Sequence, residues 1–177
     1  MRNLKHRLRL VLPSPEMKNL IMNYRELFLQ NGEKHIHGTC GLHNHENFID
    51  WYNAQRKIAR GECENNLPAT TYFAVYAEAN GRLSLAGAAN IRHYLNEQSY
   101  RHGHIGYSVS PDKRRMGYGT EILRLALIKA NEFGIIEPVV SCAKFNTGSK
   151  KIIEANGFTF SYETNTDGYD LLVYIMK

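Results

Sequence analysis

Apolar and polar residues alternate with two different periods in the first third of the chain. Apolar and basic side chains alternate between residues 4 and 12, which is typical of a half-buried strand near a sheet edge. Helical spacing follows over residues 15–30 and over about residues 44–60. Ser14 is a residue type that caps helices, and Pro15 suits a first helical position. The pattern predicts one strand followed by two helices.

Strand-like segments occupy the middle of the chain. Residues 70–78 and 82–93 are joined by Asn80-Gly81, the strongest hairpin signal in the sequence, and Gly87 indicates a bend or bulge. Another strand is expected at 104–109, before Pro111, because proline cannot donate to a sheet. The later segments predict, in order, a helix beginning near Gly119 and ended by Gly134, a strand at 138–143, a helix capped by Asn146 and ended by Gly157, and strands at 158–163 and 169–176.

The turn between the strand at 104–109 and the helix after it carries basic and glycine residues. It reads Arg-Arg-Met-Gly-Tyr-Gly over residues 114–119 and follows Lys113. The first N–H groups of a helix have no intrahelical partner, and the helix dipole favours an anion there. Gly117 and Gly119 are expected to let the main chain approach a phosphate closely. On the glycines alone, an ordinary strand-turn-helix with a solvated basic turn is an equal reading, because short glycine motifs match by chance.

Two segments together resemble a known family. Arg-x-x-Gly-x-Gly after a strand is similar to the acyl-CoA-binding signature of the GNAT N-acetyltransferase superfamily, and residues 146–158 are similar to its later helix, with a leading Asn and a final Glu-x-x-Gly-Phe. The resemblance covers about residues 70–177 and rests before them on element order. It implies a single domain over residues 1–177 with an α/β (α+β) GNAT fold. The expected sheet is mixed, mostly antiparallel and six- to seven-stranded, splayed between strands 4 and 5 and flanked by about four helices.

The resemblance implies acetyl-CoA as the cosubstrate, bound in the cleft of the splayed sheet. Its pyrophosphate is expected on residues 114–120 and its pantetheine arm along residues 107–109. Asn146 is expected to reach the arm, unless it is only a helix cap. The expected cofactor-binding residues are Ser108, Val109, Arg114, Arg115, Met116, Gly117, Tyr118, Gly119, Thr120, Asn146 and Ser149.

Acetyl transfer to an amine requires proton transfers, and the residues for them are open. Many family members place a Tyr donor directly before the Glu of Glu-x-x-Gly-Phe, where this chain has Ile153. Tyr107 is the candidate acid for the leaving thiolate, and His104 is the candidate base through water. Strand alternation puts these two on opposite faces unless a bulge intervenes. His93 and Glu97 are further options, and direct attack without a dedicated base is another.

The expected function is acetyl-CoA-dependent N-acetylation of a primary amine on a small molecule or a peptide, by direct attack. A non-catalytic acyl-CoA-binding or sensing domain is the alternative, favoured by the missing Tyr. A basic nucleic-acid-binding protein is a weaker reading. The net charge of +5 and pI of about 9.1 fit a polyanionic cofactor as well as a nucleic acid, and there is no aromatic-interleaved basic repeat. We therefore expect no nucleic-acid partner, and homodimer formation is left open.

Cysteines and apolar runs bear on the compartment. Cys40, Cys63 and Cys142 are an odd number and widely spaced, which argues against a disulfide framework and for a reducing, cytoplasmic setting. No apolar run approaches ~18 residues, so no membrane span is expected. The basic N-terminus lacks the long apolar region of a signal peptide.

Residues 31–45 concentrate metal-ligand residue types. A metal site there would need a further ligand pair at a familiar spacing, which the sequence does not offer, so no metal is expected. A polar, flexible loop is the favoured reading. A wall of the acceptor pocket is the third, because the resembled fold places this connection there. The five candidate ligands are His35, His37, Cys40, His43 and His45.

Overall fold

The computed structural model describes residues 8–64, 66–166 and 168–177. Strand β1, Arg9–Val11, is the described part of the first predicted strand, and residues 4–7 of that prediction lie outside the described residues. The predicted element order is confirmed. The remaining strands and the helices are α1 Lys18–Gln30, α2 Phe48–Ala59, β2 Ala69–Ala77, β3 Leu83–Arg92, β4 Ile105–Val109, α3 Tyr118–Glu132, β5 Val139–Ala143, α4 Thr147–Ala155, β6 Thr159–Thr166 and β7 Tyr169–Ile175.

Two helix starts differ from the sequence prediction. Ser14 makes no side-chain cap, and its carbonyl instead accepts a hydrogen bond from Met17 N in a 3-10 turn before α1. Helix α2 begins at Phe48 rather than near residue 44, because Asn47 caps it by accepting from Asp50 N at 3.0 Å. None of the described helices combines the length and apolar character that a bilayer crossing requires.

The strands form two hydrogen-bonded sheets, in the orders β1-β2-β3-β4 and β5-β7-β6. Every pairing between described strands is antiparallel. The sheets separate between β4 and β5, as predicted for a splayed sheet. The β2–β3 register shifts beside Gly87, which confirms the predicted bulge.

Each face of the larger sheet packs against its own pair of helices. Ile105, Tyr107 and Val109 of β4 point to the core formed with α3 and α4. The other core contains α1 and α2, with Trp51 fully buried beside Phe73. Because side chains alternate along a strand, β4 meets both cores through successive residues.

The His-rich segment, defined as residues 35–45, is seated on the protein rather than loose, so the favoured sequence reading of a flexible loop is wrong. Ile36, Thr39 and Leu42 are buried, and the Trp51 indole donates to Thr39 O at 2.7 Å. A Cβ on Gly38 would lie 2.7 Å from Tyr107 Cα. Main chain therefore packs directly on main chain where this segment crosses β4.

Substituting Gly38 tests this close approach. Gly38→Ala should lower the free energy of unfolding by ~1–2 kcal/mol for its left-handed φ and ~1–3 kcal/mol more for the clash with β4. Gly32 also has a positive φ, but nothing lies within 4 Å of its added Cβ, so Gly32→Ala is the matched control. Urea unfolding of both variants measures the difference, and equal losses would contradict the packing.

Candidate functional site

A gap opens between β4 and β5 beyond a single junction. At the junction His104 N donates to Val139 O at 2.7 Å, next to an isolated bridge between Gly103 and Val140. Beyond it, the described parts of β4 and β5 are not paired as strands. One edge of β4 is therefore open to a ligand.

The register of β4 decides which main-chain groups face the gap. His104 O accepts from Arg92 N, and Ser110 N donates to Ala86 O, so even-numbered residues of β4 bond to β3. In an antiparallel ladder the residues between them point the other way. The N–H and C=O groups of Tyr107 and the N–H of Val109 therefore face the gap, while Val109 O, on the same side, accepts from Arg114 Nε at 3.3 Å.

Ser108, predicted to bind the cofactor, faces elsewhere. Its main chain belongs to the β3 side of the ladder. Its hydroxyl lies 2.9 Å from the Tyr24 hydroxyl and donates to His37 O. The main chain and the hydroxyl of Ser108 are thus both engaged away from the gap, and its neighbours in β4 carry the gap-facing groups.

Tyr107 bridges the gap through its side chain. Its hydroxyl lies 2.8 Å from Ser149 Oγ, at the start of α4. Burial raises the pKa of Tyr107, and the hydrogen bond from Tyr107 to Ser149 opposes that rise without cancelling it. Tyr107 is therefore protonated at neutral pH. Ile153, which stands at the usual donor position, is fully buried in the core.

The N-terminus of α3 presents unpaired main-chain donors. The N–H groups of residues 115–120 donate to no described residue. Gly117 caps the helix with φ of 86°, and Arg115 also has a positive φ of 61°. This curvature and the dipole of a 15-residue helix suit an anion. Residues 115–120 therefore form a turn whose main chain suits an anion, which we call the anion-binding turn.

The side chains of this turn divide between solvent and core. Met116 is half exposed, whereas the Tyr118 ring is buried against Tyr76. Tyr118 can therefore serve an anion only through its main-chain N–H. Thr120 O accepts from Asn156 Nδ2 at 3.2 Å. The Thr120 N–H takes no part in this contact and lies in the first turn of α3.

Gly119 has a different role from the predicted one. An added Cβ would lie 2.5 Å from Ile152 Cδ1 and 3.2 Å from Val109 Cγ2. An added Cβ would point into the contact with α4 and β4. Gly119 is needed for helix packing, while Gly117 shapes the turn.

The side chain of Arg114, a predicted cofactor-binding residue, contacts other elements of the protein. Its Nη2 lies 2.7 and 2.9 Å from the two oxygens of Glu33, and its guanidinium lies 5.5 Å from the Phe28 ring centre. Its Nε donates to Val109 O at 3.3 Å. The side chain is thus held by α1 and β4, which sequence spacing does not reveal.

Asn146 and Ser149 lie together at the start of α4. Asn146 Oδ1 accepts from Ser149 N at 3.0 Å, so the helix cap that the sequence left open is present. Ser149 also contacts Tyr107 across the gap. The α4 start is therefore the second wall of the site.

His104 has its acceptor nitrogen occupied. Val139 N donates to His104 Nδ1 at 3.0 Å. Burial, followed by the charge of Arg92, lowers the pKa of His104. Neutral His104 therefore carries its proton on Nε2, and its observed contact stabilises the sheet junction.

The other proposed bases lie in separate environments. His93 stacks on Phe133, with ring centres 4.2 Å apart, and its Nε2 lies 2.8 Å from Thr70 Oγ1. Glu97 lines an open surface groove of about 590 Å³, and neither Tyr107 nor Ser149 belongs to that groove. The groove residues are Leu95, Asn96, Glu97, Tyr100, Arg101, Tyr162 and Thr164.

The His-rich segment pairs its own side chains. His35 Nδ1 lies 3.1 Å from His43 Nε2. Burial lowers the pKa values of His37 and His43, and the neighbouring His35 lowers both further. Among the described residues, no three His, Cys, Asp or Glu side chains gather into a group suited to a metal ion.

Tyr24 contacts β4 and Glu33 contacts Arg114, although neither is marked as a site residue by its neighbours in the sequence. Tyr24 lies within the helical pattern of residues 15–30, and Glu33 lies in the polar loop after it. Their partners, Ser108 and Arg114, are far away along the chain. The fold brings each of these residues to its partner, and the spacing along the sequence does not reveal it.

The role of Gly119 can be tested by stability. Gly119→Ala should cost ~1–3 kcal/mol of unfolding free energy, because its Cβ overpacks the Ile152 contact. Adding Ile152→Val removes the Cδ1 atom and should recover part of that loss relative to Ile152→Val alone. A double-mutant cycle by urea unfolding measures the coupling, and strictly additive effects would contradict this packing.

His104 predicts a pH effect on stability. Its folded pKa is lowered, so its contribution is present above the unfolded value of ~6.5 and is lost as pH falls through the folded pKa. His104→Gln should therefore reduce the dependence of unfolding free energy on pH between about pH 5 and 7. An unchanged pH dependence would show that the contact with Val139 does not depend on protonation.

Comparisons with known proteins give the same architecture. The chain resembles microcin C7 self-immunity acetyltransferase MccE in complex with acetyl-CoA and AMP, with a TM-score of 0.69 and 16% identity, covering 96% of this chain and 91% of that one. It resembles RimL, the ribosomal L7/L12 α-N-protein acetyltransferase, in complex with coenzyme A, with a TM-score of 0.62, 16% identity and coverages of 96% and 93%. No curated protein sequence matches the chain.

A third structure and a family match complete the comparison. The acetyltransferase from Salmonella typhimurium that modifies the N-terminal serine of L7/L12 gives a TM-score of 0.64, 15% identity and coverages of 96% and 94%. At these identities the structures establish the fold. The sequence model of the acetyltransferase (GNAT) domain matches residues 24–159, which is more than half of the chain. The chain belongs to the GNAT acetyltransferase family.

Proposed function

We propose that the protein transfers the acetyl group of acetyl-CoA to a primary amine of a small molecule or a peptide by direct attack. The observation that carries the proposal is the open edge of β4 at Tyr107 and Val109, which leads toward the anion-binding turn at residues 115–120. An extended amide-containing arm and a pyrophosphate need those two features. The named structures with acetyl-CoA and coenzyme A support this cosubstrate.

In this proposal the main chain does most of the binding. N–H groups of residues 115–120 hold the pyrophosphate, and Arg115, whose side chain is exposed, adds positive charge. Gap-facing groups of Tyr107 and Val109 pair with the arm as a neighbouring strand would. One of those N–H groups also stabilises the oxyanion that forms when the amine attacks the thioester carbon.

The contacts support Tyr107 as the acid more strongly than they support His104 as the base. The neutral amine attacks, the C–S bond breaks, and the thiolate needs a proton while the new amide loses one. Tyr107 is protonated, and its hydroxyl lies 2.8 Å from Ser149 Oγ at the second wall, which supports its assignment as the donor. His104 is a base only after Nδ1 releases Val139 N, and solvent is the competing base.

The compartment and the acceptor class proposed for this reaction are those expected from the sequence. The described cysteines are free thiols, which supports the proposed cytoplasmic location. The acceptor is an amine whose identity a screen must supply. The likeness to RimL, the ribosomal L7/L12 α-N-protein acetyltransferase, supports the inclusion of peptide amines in that screen.

Tyr107→Phe tests the acid. It should lower kcat by ~10²–10⁴-fold while acetyl-CoA affinity changes little, because only the hydroxyl is lost. Steady-state kinetics measures kcat, and calorimetry measures the acetyl-CoA affinity. Ser149→Ala is the companion variant, and it should lower kcat less because it orients rather than donates. A Tyr107→Phe enzyme with kcat within about threefold of the parent would exclude Tyr107 as the acid.

A panel of amines separates the enzyme from the sensing alternative. Release of free CoA thiol that depends on both acetyl-CoA and an amine is the expected result. Acetyl-CoA binding by calorimetry with no amine-dependent thiol release would instead support a non-catalytic acyl-CoA-binding domain. Acetyl-pantetheine, which lacks the pyrophosphate, should bind far more weakly than acetyl-CoA.

A further inference from the structure

We propose that Glu33 and Arg114 form a latch that holds the His-rich segment over β4, and that the Arg114 side chain serves this segment rather than the cofactor phosphates. The expected effect on the KM of the amine acceptor rests on the proposed function and on the reading of this segment as a wall of the acceptor pocket. The latch itself rests on contacts among described residues, and its principal readout needs no enzyme activity.

Arg114 is committed to other elements by several contacts. Nη2 donates to both Glu33 oxygens, Nε donates to Val109 O, and the guanidinium lies over the Phe28 ring. Asn31 Nδ2 donates to the same Glu33 carboxylate at 2.8 Å. The arginine immediately before the anion-binding turn is thus joined to the end of α1 and to the end of β4.

Glu33 is fixed where the His-rich segment begins. Its N–H donates to Phe28 O at 3.0 Å, which ties it to the last turn of α1. Burial raises the pKa of Glu33, but hydrogen bonds from Arg114 and Asn31 outweigh it and the pKa is lowered. The carboxylate is therefore charged at neutral pH.

The segment has a second anchor on β4. Ser108 donates to His37 O, and the Gly38 main chain lies against the Tyr107 main chain. Glu33 lies two residues before the segment, and Arg114 lies just beyond β4. The latch and the Ser108 contact therefore fix the beginning of the segment to the strand that carries the gap-facing groups.

The latch is partly exposed, so its rupture should loosen the segment without unfolding the protein. The exposed fractions are 41% for the Arg114 side chain and 32% for Glu33. Ion pairs of this exposure contribute modestly, and several contacts at one residue add to them. The expected effect is local opening of residues 35–45.

Trp51 reports the seating of the segment directly. It is the only tryptophan, it is fully buried, and its indole donates to Thr39 O. Loosening the segment should expose the indole. Acrylamide quenching of Trp51 fluorescence should rise by about twofold or more in Glu33→Gln and in Arg114→Ala. The double variant should match the single variants rather than add to them.

Acetyl-CoA affinity should respond to Arg115 and not to Arg114, whereas Trp51 quenching should respond to Arg114 and not to Arg115. Arg114→Ala should leave the acetyl-CoA dissociation constant within about twofold, whereas Arg115→Ala should weaken binding several-fold and leave Trp51 quenching unchanged. With an accepted amine, Glu33→Gln should raise the acceptor KM by about two- to fivefold and leave kcat near the parent value. Arg115→Ala is thus the matched control for loss of a basic side chain beside the turn.

The outcomes decide between two roles for Arg114. Increased quenching in Glu33→Gln with unchanged acetyl-CoA affinity supports the latch, whether or not any amine is turned over. Unchanged quenching in Glu33→Gln, or loss of acetyl-CoA affinity by tenfold or more in Arg114→Ala alone, overturns it. Should Arg114→Ala not fold, the near-isosteric Glu33→Gln carries the same test.

Discussion

The unpaired edge of β4 is the feature on which the rest of the site depends. Main-chain N–H and C=O groups are strong hydrogen-bonding groups and are seldom left buried without partners. The N–H and C=O groups of Tyr107 and the N–H of Val109 face a gap because β5 pairs with β7 instead of with β4, while Val109 O accepts from Arg114 Nε. A ligand with its own amides can complete that edge. The two-sheet arrangement thus creates the site before any side chain acts.

The surroundings keep this edge in place from three directions. The His104 and Val139 contacts close one end of the gap. Gly119 lets α3 approach α4 closely. On the opposite face the His-rich segment lies on β4, so main-chain position near Tyr107 depends on packing from both cores. We therefore expect several residues near the site to act through packing rather than through ligand contact.

The sequence predicted the elements well because its signals were local. The strand-to-helix turn, the Asn80-Gly81 hairpin and the Asn146 cap each depend on neighbouring residues. It could not predict the partners of Arg114 or the direction of the Gly119 Cβ, because both depend on residues distant in the chain. Strand alternation put His104 and Tyr107 on opposite faces, but only the register showed which groups of β4 face the gap.

Amide hydrogen exchange measured residue by residue, with and without acetyl-CoA, tests the central claim most directly. If acetyl-CoA completes the open edge, exchange at Tyr107 or Val109 slows strongly on binding, together with amides of residues 115–120. Ser108, whose N–H belongs to the ladder with β3, changes little and is the internal control. Saturating acetyl-CoA that leaves exchange at both Tyr107 and Val109 unchanged would contradict the account.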